Sequence, residues 1–230
     1  MKREQSGAGG VWRRVALGVV VISVLGGCAS QETIKKRTRE SDGYYQQGLS
    51  FFDSDQQRAF VAFQKAVQVN PDNYDAHYAL GIIYDRRKEY AEAEREFRTC
   101  IELEPYSGDA LNYLGRTLID LNRLPEAIET LRKATALPLY GTPDKAYASL
   151  GTALYMQGDI PGAIRAFQDA VKVDPPNVPR ALLYLEVGRL YMKQGEDGKA
   201  REALAQAKAL DPGGTAGAEA SRLMGRLRTP

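Results

Sequence analysis

One spacing constrains this chain more than any other feature. A glycine is followed eleven or twelve residues later by an alanine, four later by a large apolar residue and three later by a small one. The clearest copy lies in Tyr74–Ser107, as Gly81, Ala93, Phe97 and Cys100, with Pro105 closing it. The stretch reads as two short helices joined by a tight turn. Glycine on one helix and alanine on the other let the two backbones approach closely, and Tyr84 and Phe97 fill the space beside them. One such hairpin cannot bury its apolar faces alone, so it needs neighbours of its own kind.

The chain supplies those neighbours. Gly48, Ala59, Phe63 and Ala66 form a first unit whose turn, near Asp53-Ser54-Asp55, is one residue shorter. Gly115, Ala127, Leu131 and Ala134 form a third; Gly151, Ala163, Phe167 and Ala170 a fourth; Gly188, Ala200, Leu204 and Ala207 a fifth. Gly81 and Gly115 are 34 residues apart, the period of the tetratricopeptide repeat, which the segment 41–212 resembles. The fold expected is all-α: a right-handed superhelical solenoid of about five helix-turn-helix units plus a C-terminal capping helix. The steps from Gly115 to Gly151 and on to Gly188 are 36 and 37 residues, so the extra residues fall in the loops ALPLYGTPDKAY and Pro175–Pro179. Prolines there resist helix continuation. Within 213–230, glycines 213, 214 and 217 should stop the last repeat helix, and Ala218–Leu227 should form a short cap carrying Leu223, Met224 and Leu227.

The amino terminus follows another logic. Arg13 and Arg14 precede the apolar run Val15–Leu25, which ends in Leu25-Gly26-Gly27-Cys28. The run is short for a membrane span of about 20 residues. Its arrangement resembles the bacterial lipobox; an ordinary signal peptide or a single anchor helix is the alternative. The resemblance implies that residues 1–27 are a lipoprotein signal peptide, that cleavage precedes Cys28, and that Cys28 is acylated. Ala29 in place of an aspartate implies sorting to the outer membrane. Residues 28–40, with Lys35, Lys36, Arg37 and Arg39, then read as the lipidated N-terminus and a tether, with contact to anionic headgroups a lesser reading.

Charge and composition exclude several functions. The whole chain has 31 basic and 29 acidic residues; without residues 1–27, which hold Lys2, Arg3, Arg13, Arg14 and Glu4, it carries one net negative charge. No basic stripe suggests nucleic acid. Cys28 and Cys100 stand in unlike contexts, and Cys100 fits a buried packing position rather than a disulfide. His77 is the single histidine, which leaves no imidazole-rich metal site. No nucleophile elbow, phosphate loop or dinucleotide fingerprint is present. The reading is a protein without enzymatic activity, cofactor, metal or small-molecule substrate.

Binding remains. In tetratricopeptide proteins the first helices line a concave groove, and the resemblance implies that residues three before, one after and four after each core glycine face it. These are Tyr45, Leu49 and Phe52; Tyr78, Ile82 and Asp85; and Asn112, Arg116 and Ile119; then Ala148, Thr152, Tyr155, Leu185, Arg189 and Met192. The first two sets are largely apolar, which suits an amphipathic or extended peptide. The competing reading packs Tyr45 or Phe52 beneath the tether.

A lipobox followed only by such repeats is similar to the pilotin lipoproteins of type IV pili, the PilF/PilW/Tgl-like family. Leu137-Pro138-Leu139-Tyr140 resembles a tyrosine-bearing connection in those proteins. They carry six repeats, against five registered here. The resemblance implies an outer-membrane lipoprotein facing the periplasm, held by Cys28, that helps a secretin reach the outer membrane and assemble into its multimer. The alternative is a tetratricopeptide adaptor for periplasmic cell-wall enzymes or another outer-membrane assembly machine.

Overall fold

The computed structural model describes the backbone of residues 11–227 and the side chains of residues 30–227; the Cys28 side chain, and with it the lipidation site, lies outside the described residues. All regular elements among the described residues are helices: α1 Val11–Phe51, α2 Gln56–Val69, α3 Tyr74–Arg86, α4 Tyr90–Leu103, α5 Gly108–Asp120, α6 Leu124–Thr135, α7 Pro143–Gln157, α8 Ile160–Lys172, α9 Arg180–Lys193, α10 Asp197–Leu210 and α11 Thr215–Met224. The chain divides into two compact units, Met1–Ala76 and His77–Pro230, and the division falls inside α3.

Each unit repeats one contact. A Cβ added at Gly48 would fall 2.3 Å from the Phe63 ring, and at Gly81, Gly115, Gly151 and Gly188 it would fall 2.4–2.8 Å from Phe97, Leu131, Phe167 and Leu204. These separations are below van der Waals contact, so only glycine lets the large residue of the second helix lie flat on the first. Ala59, Phe63 and Ala66, and likewise Ala93, Phe97 and Cys100, are buried. Their spacing of four and three puts them on one face of the second helix.

In the first unit α1 packs on α2. Residues 30–40 are helical and continue α1 as an exposed extension ahead of the first repeat. Arg37 Nε donates to the Val69 carbonyl at 3.0 Å. Ser41, wholly buried, donates to the Ala66 carbonyl at 2.8 Å and accepts from Asn73 Nδ2 at 2.7 Å. Asn73 Oδ1 in turn accepts from the Ala76 amide at 2.9 Å at the start of α3.

In the second unit successive helices pack side by side, α4 on α5, α6 on α7 and α8 on α9, around one continuous core. The long loop before α9 is held by Asp144 in the first turn of α7. That carboxylate has no exposure and accepts from the Asn177 and Val178 amides at 2.5 and 2.6 Å. At the carboxyl end Gly217 lies inside α11 instead of ending a helix. A Cβ there would fall 1.8 Å from the Asp211 carbonyl, so the residue serves close approach. Ala216, Ala220, Leu223 and Leu227 bury themselves with Leu185, Ala200 and Leu204. α11 packs on both α9 and α10, the place a further first helix would take, and Gly225 follows Gly188 by the same 37 residues as Gly188 follows Gly151.

Candidate functional site

In the first unit, α1 carries Tyr45 and Leu49 near its end, and Phe52 follows directly after it. Tyr45 and Phe52 pack on the buried Phe63 ring, with centroids 5.7 and 6.1 Å away, and both are half-buried. Burial, then the negative charge of Asp75, pushes the Tyr45 hydroxyl above its ordinary pKa. Leu49 between them is 43% exposed. An aliphatic tip flanked by two fixed aromatics is the apolar part of that stretch.

In the second unit, Tyr78 stands edge-on to Phe97 and Tyr113, at 6.0 and 5.5 Å, while Phe97 and Tyr113 stack at 5.3 Å. Ile82 is half-buried against the core. Asp85 is half-buried too; burial holds its carboxyl above the ordinary range, Arg116 works against this and Asp120 adds to it. The exposed Arg116 guanidinium lies over the Tyr113 ring at 5.3 Å.

Next to Arg116, the first helices α5, α7 and α9 enclose a concavity of about 410 Å³. Its lining includes Arg116, Ile119 and Asp120 from α5, Ala148, Ser149 and Thr152 from α7, and Leu182 and Glu186 from α9, with Val178 at one edge and Phe167 in the floor. Glu186 pairs with Arg189 at 2.5 Å, and Arg189 reaches Glu219 of α11 at 3.3 Å. Hydrogen bonding to Arg222 first, and to Arg189, outweighs desolvation and holds the Glu219 carboxyl down at about 2. The floor is apolar and the rim carries both signs of charge.

The structure gathers Arg116, Ile119, Ala148 and Thr152 at one concavity, and it buries two other residues of the same register. Asn112 is 3% exposed, and its Oδ1 accepts from Ser149 Oγ at 2.9 Å, so its amide oxygen is used between α5 and α7. Leu185 is 4% exposed and belongs to the core under α11. Asp120, Leu182 and Glu186 take part instead. The signal for them was the helical step of four, from Arg116 to Asp120 and from Leu182 to Glu186.

His77 is buried, with Nδ1 2.6 Å from Glu96 Oε2. Among the described residues no three His, Cys, Asp or Glu side chains cluster closely enough to hold a metal ion. What the site offers is a shaped, mixed-polarity surface on helices.

Sequence models described as tetratricopeptide repeat match residues 62–95, 86–154 and 149–215, which together cover more than half of the chain. The chain is a tetratricopeptide-repeat protein. This tetratricopeptide protein is 26% identical over 196 residues to the type IV pilus assembly protein PilF of Pseudomonas aeruginosa, a match covering 82% of this chain and 77% of that one. Among solved structures it is similar to PilW, described as a widely conserved type IV pilus biogenesis factor, with a TM-score of 0.70 at 23% identity over 80% of this chain and 86% of that one. It is also similar to YrrB, described as a tetratricopeptide protein with an unusual peptide-binding site, with a TM-score of 0.63 at 22% identity over 84% of this chain and 97% of that one. Both structures speak for the fold. Tetratricopeptide repeats present concave surfaces that bind other proteins.

Proposed function

We propose that this tetratricopeptide protein acts in type IV pilus biogenesis, as an outer-membrane lipoprotein that binds a secretin and promotes its localisation and multimer assembly. The observation that carries the reading is the match to PilF over most of both chains, which spans the repeats rather than one motif. The lipobox-like Leu25-Gly26-Gly27-Cys28 supports attachment through acylated Cys28, facing the periplasm. Capture on the first helices raises the local concentration of secretin protomers at the membrane, and assembly follows from effective concentration without covalent chemistry.

Leu49→Asp is the discriminating variant, because Leu49 is exposed whereas Ile82 also packs on the core. A photo-crosslinker in place of the exposed Gln46, one turn before Leu49, should capture an outer-membrane secretin in intact cells. Leu49→Asp should cut that capture at least about tenfold, as expected for losing one buried aliphatic contact, with the helical spectrum unchanged. Undiminished secretin capture by the variant, or capture of a cell-wall enzyme in its place, would contradict the proposal.

A further inference from the structure

The loop between α6 and α7, which holds the two extra residues of the third repeat, is braced at both ends and apolar at its tip. Leu137 packs against Leu111, Ala134 and Ala146. The Tyr140 ring covers Gly108, where a Cβ would fall 2.3 Å from ring carbon Cδ2, and its hydroxyl donates to Asp109 Oδ1 at 3.2 Å. Thr142 Oγ1 donates to the same oxygen at 3.1 Å. Between these anchors Pro138 and Leu139 project, and Leu139 is 96% exposed. Tyr106, 85% exposed, lies in the loop that leads into Gly108, the residue that Tyr140 covers. Exposed Arg132 and Lys133 end α6 and exposed Lys145 stands in the first turn of α7, so basic residues lie at both ends of the loop; Lys133 also pairs with Glu129 at 2.7 Å.

We propose that this loop is a membrane-docking finger that seats Leu139 in the interfacial layer of a bilayer containing anionic lipid. A scattered exposed leucine needs no explanation; a leucine held out by a buttressed insertion, with exposed basic residues on both helices that flank it, does. The shape selects the occupant. The tip projects its leucine almost wholly into solvent, and a bilayer interface accepts any protruding apolar group. Tyrosine suits that interface, and long basic side chains reach the phosphate layer while their stems stay apolar. The contact is weak alone and reversible, so it complements a lipid anchor instead of replacing one. It stands on the second unit and does not require Cys28 to be acylated.

The test places the sole tryptophan at the tip, as Leu139→Trp with Trp12→Phe in the full chain. With vesicles containing phosphatidylglycerol, the tryptophan emission of this double variant should shift to shorter wavelength and be quenched by brominated acyl chains. Reversing Arg132, Lys133 and Lys145 to Glu should weaken that response about tenfold or more. Phosphatidylcholine vesicles should give little response. Cys28→Ala should leave it intact, which separates this proposal from the lipoprotein reading. An emission that stays at its aqueous position and unquenched, while co-sedimentation shows the protein on the vesicles, overturns the finger. So does a fluorescence response that appears only on adding a purified secretin, which would make the loop a protein contact.

Discussion

A single backbone position shows how the repeats impose a requirement that the residue identities only partly meet. Seven residues after each core glycine of the last four repeats, at Lys88, Asn122, Gly158 and Gly195, the chain turns with φ of 61°, 56°, 95° and 74°. The following amide then bonds back to the helix: Glu89 to the Tyr84 carbonyl at 2.9 Å, Arg123 to Leu118 at 2.8 Å, Asp159 to Leu154 at 2.9 Å and Glu196 to Tyr191 at 3.0 Å. Glycine takes this left-handed conformation without penalty, asparagine with little, and lysine at about 1 kcal/mol. The shorter first repeat escapes it, since Asp55 has φ −149° and caps α2 by accepting from Arg58. Lys88→Gly should therefore stabilise the protein by about 0.5 kcal/mol after the extra entropy of glycine in the unfolded chain, raising Tm by roughly 1–2 °C. Asn122→Gly should leave Tm nearly unchanged. Equal shifts for the two variants in thermal melts would refute this account of the turn.

Between elements, charge ties the second repeat to the third. Glu94 of α4 accepts from Arg123, at the start of α6, at 2.6 Å and from Arg98 at 2.7 Å, while Arg123 also pairs with Glu126 at 2.5 Å. Burial works to raise the Glu94 pKa, but the hydrogen bonds from Arg98 and Arg123 outweigh it and hold the carboxyl below its ordinary range. A carboxyl depressed by folding stabilises the fold above its unfolded pKa, and that contribution is lost as pH falls through the folded value. Arg123→Ala should lower Tm modestly at pH 7, as suits a largely solvated network. The gap to wild type should close on acidification below the ordinary carboxylate range. Melts showing a gap that widens towards acid would contradict the pairing. The helices themselves were legible from spacing. The extension of α1 through residues 30–40 was not, because that segment is polar and lacks apolar periodicity. Gly217 was misread for a related reason: glycine marks both helix ends and close approaches, and only Asp211, packed against it, tells which.

For the molecule as a whole, the folded repeats and the proposed place of the protein are separable. Cys28→Ala should leave the thermal melt of the repeats unchanged, yet move the protein out of the outer-membrane fraction and reduce secretin multimers there. Retention in that fraction would sink the anchoring step. The sequence by itself determined the repeat, its phase and the pairing of each core glycine with a large residue about sixteen positions on, since these depend on contacts within one hairpin. Only the tertiary structure decided which polar and apolar side chains remain available. Asn112 is used by Ser149 of the next first helix, Leu185 is covered by α11, and Leu139 is held in water by Tyr140 resting on Gly108. Periodicity places a residue on a face of its own helix; whether that face meets solvent or another helix depends on packing between repeats, and no local spacing encodes it.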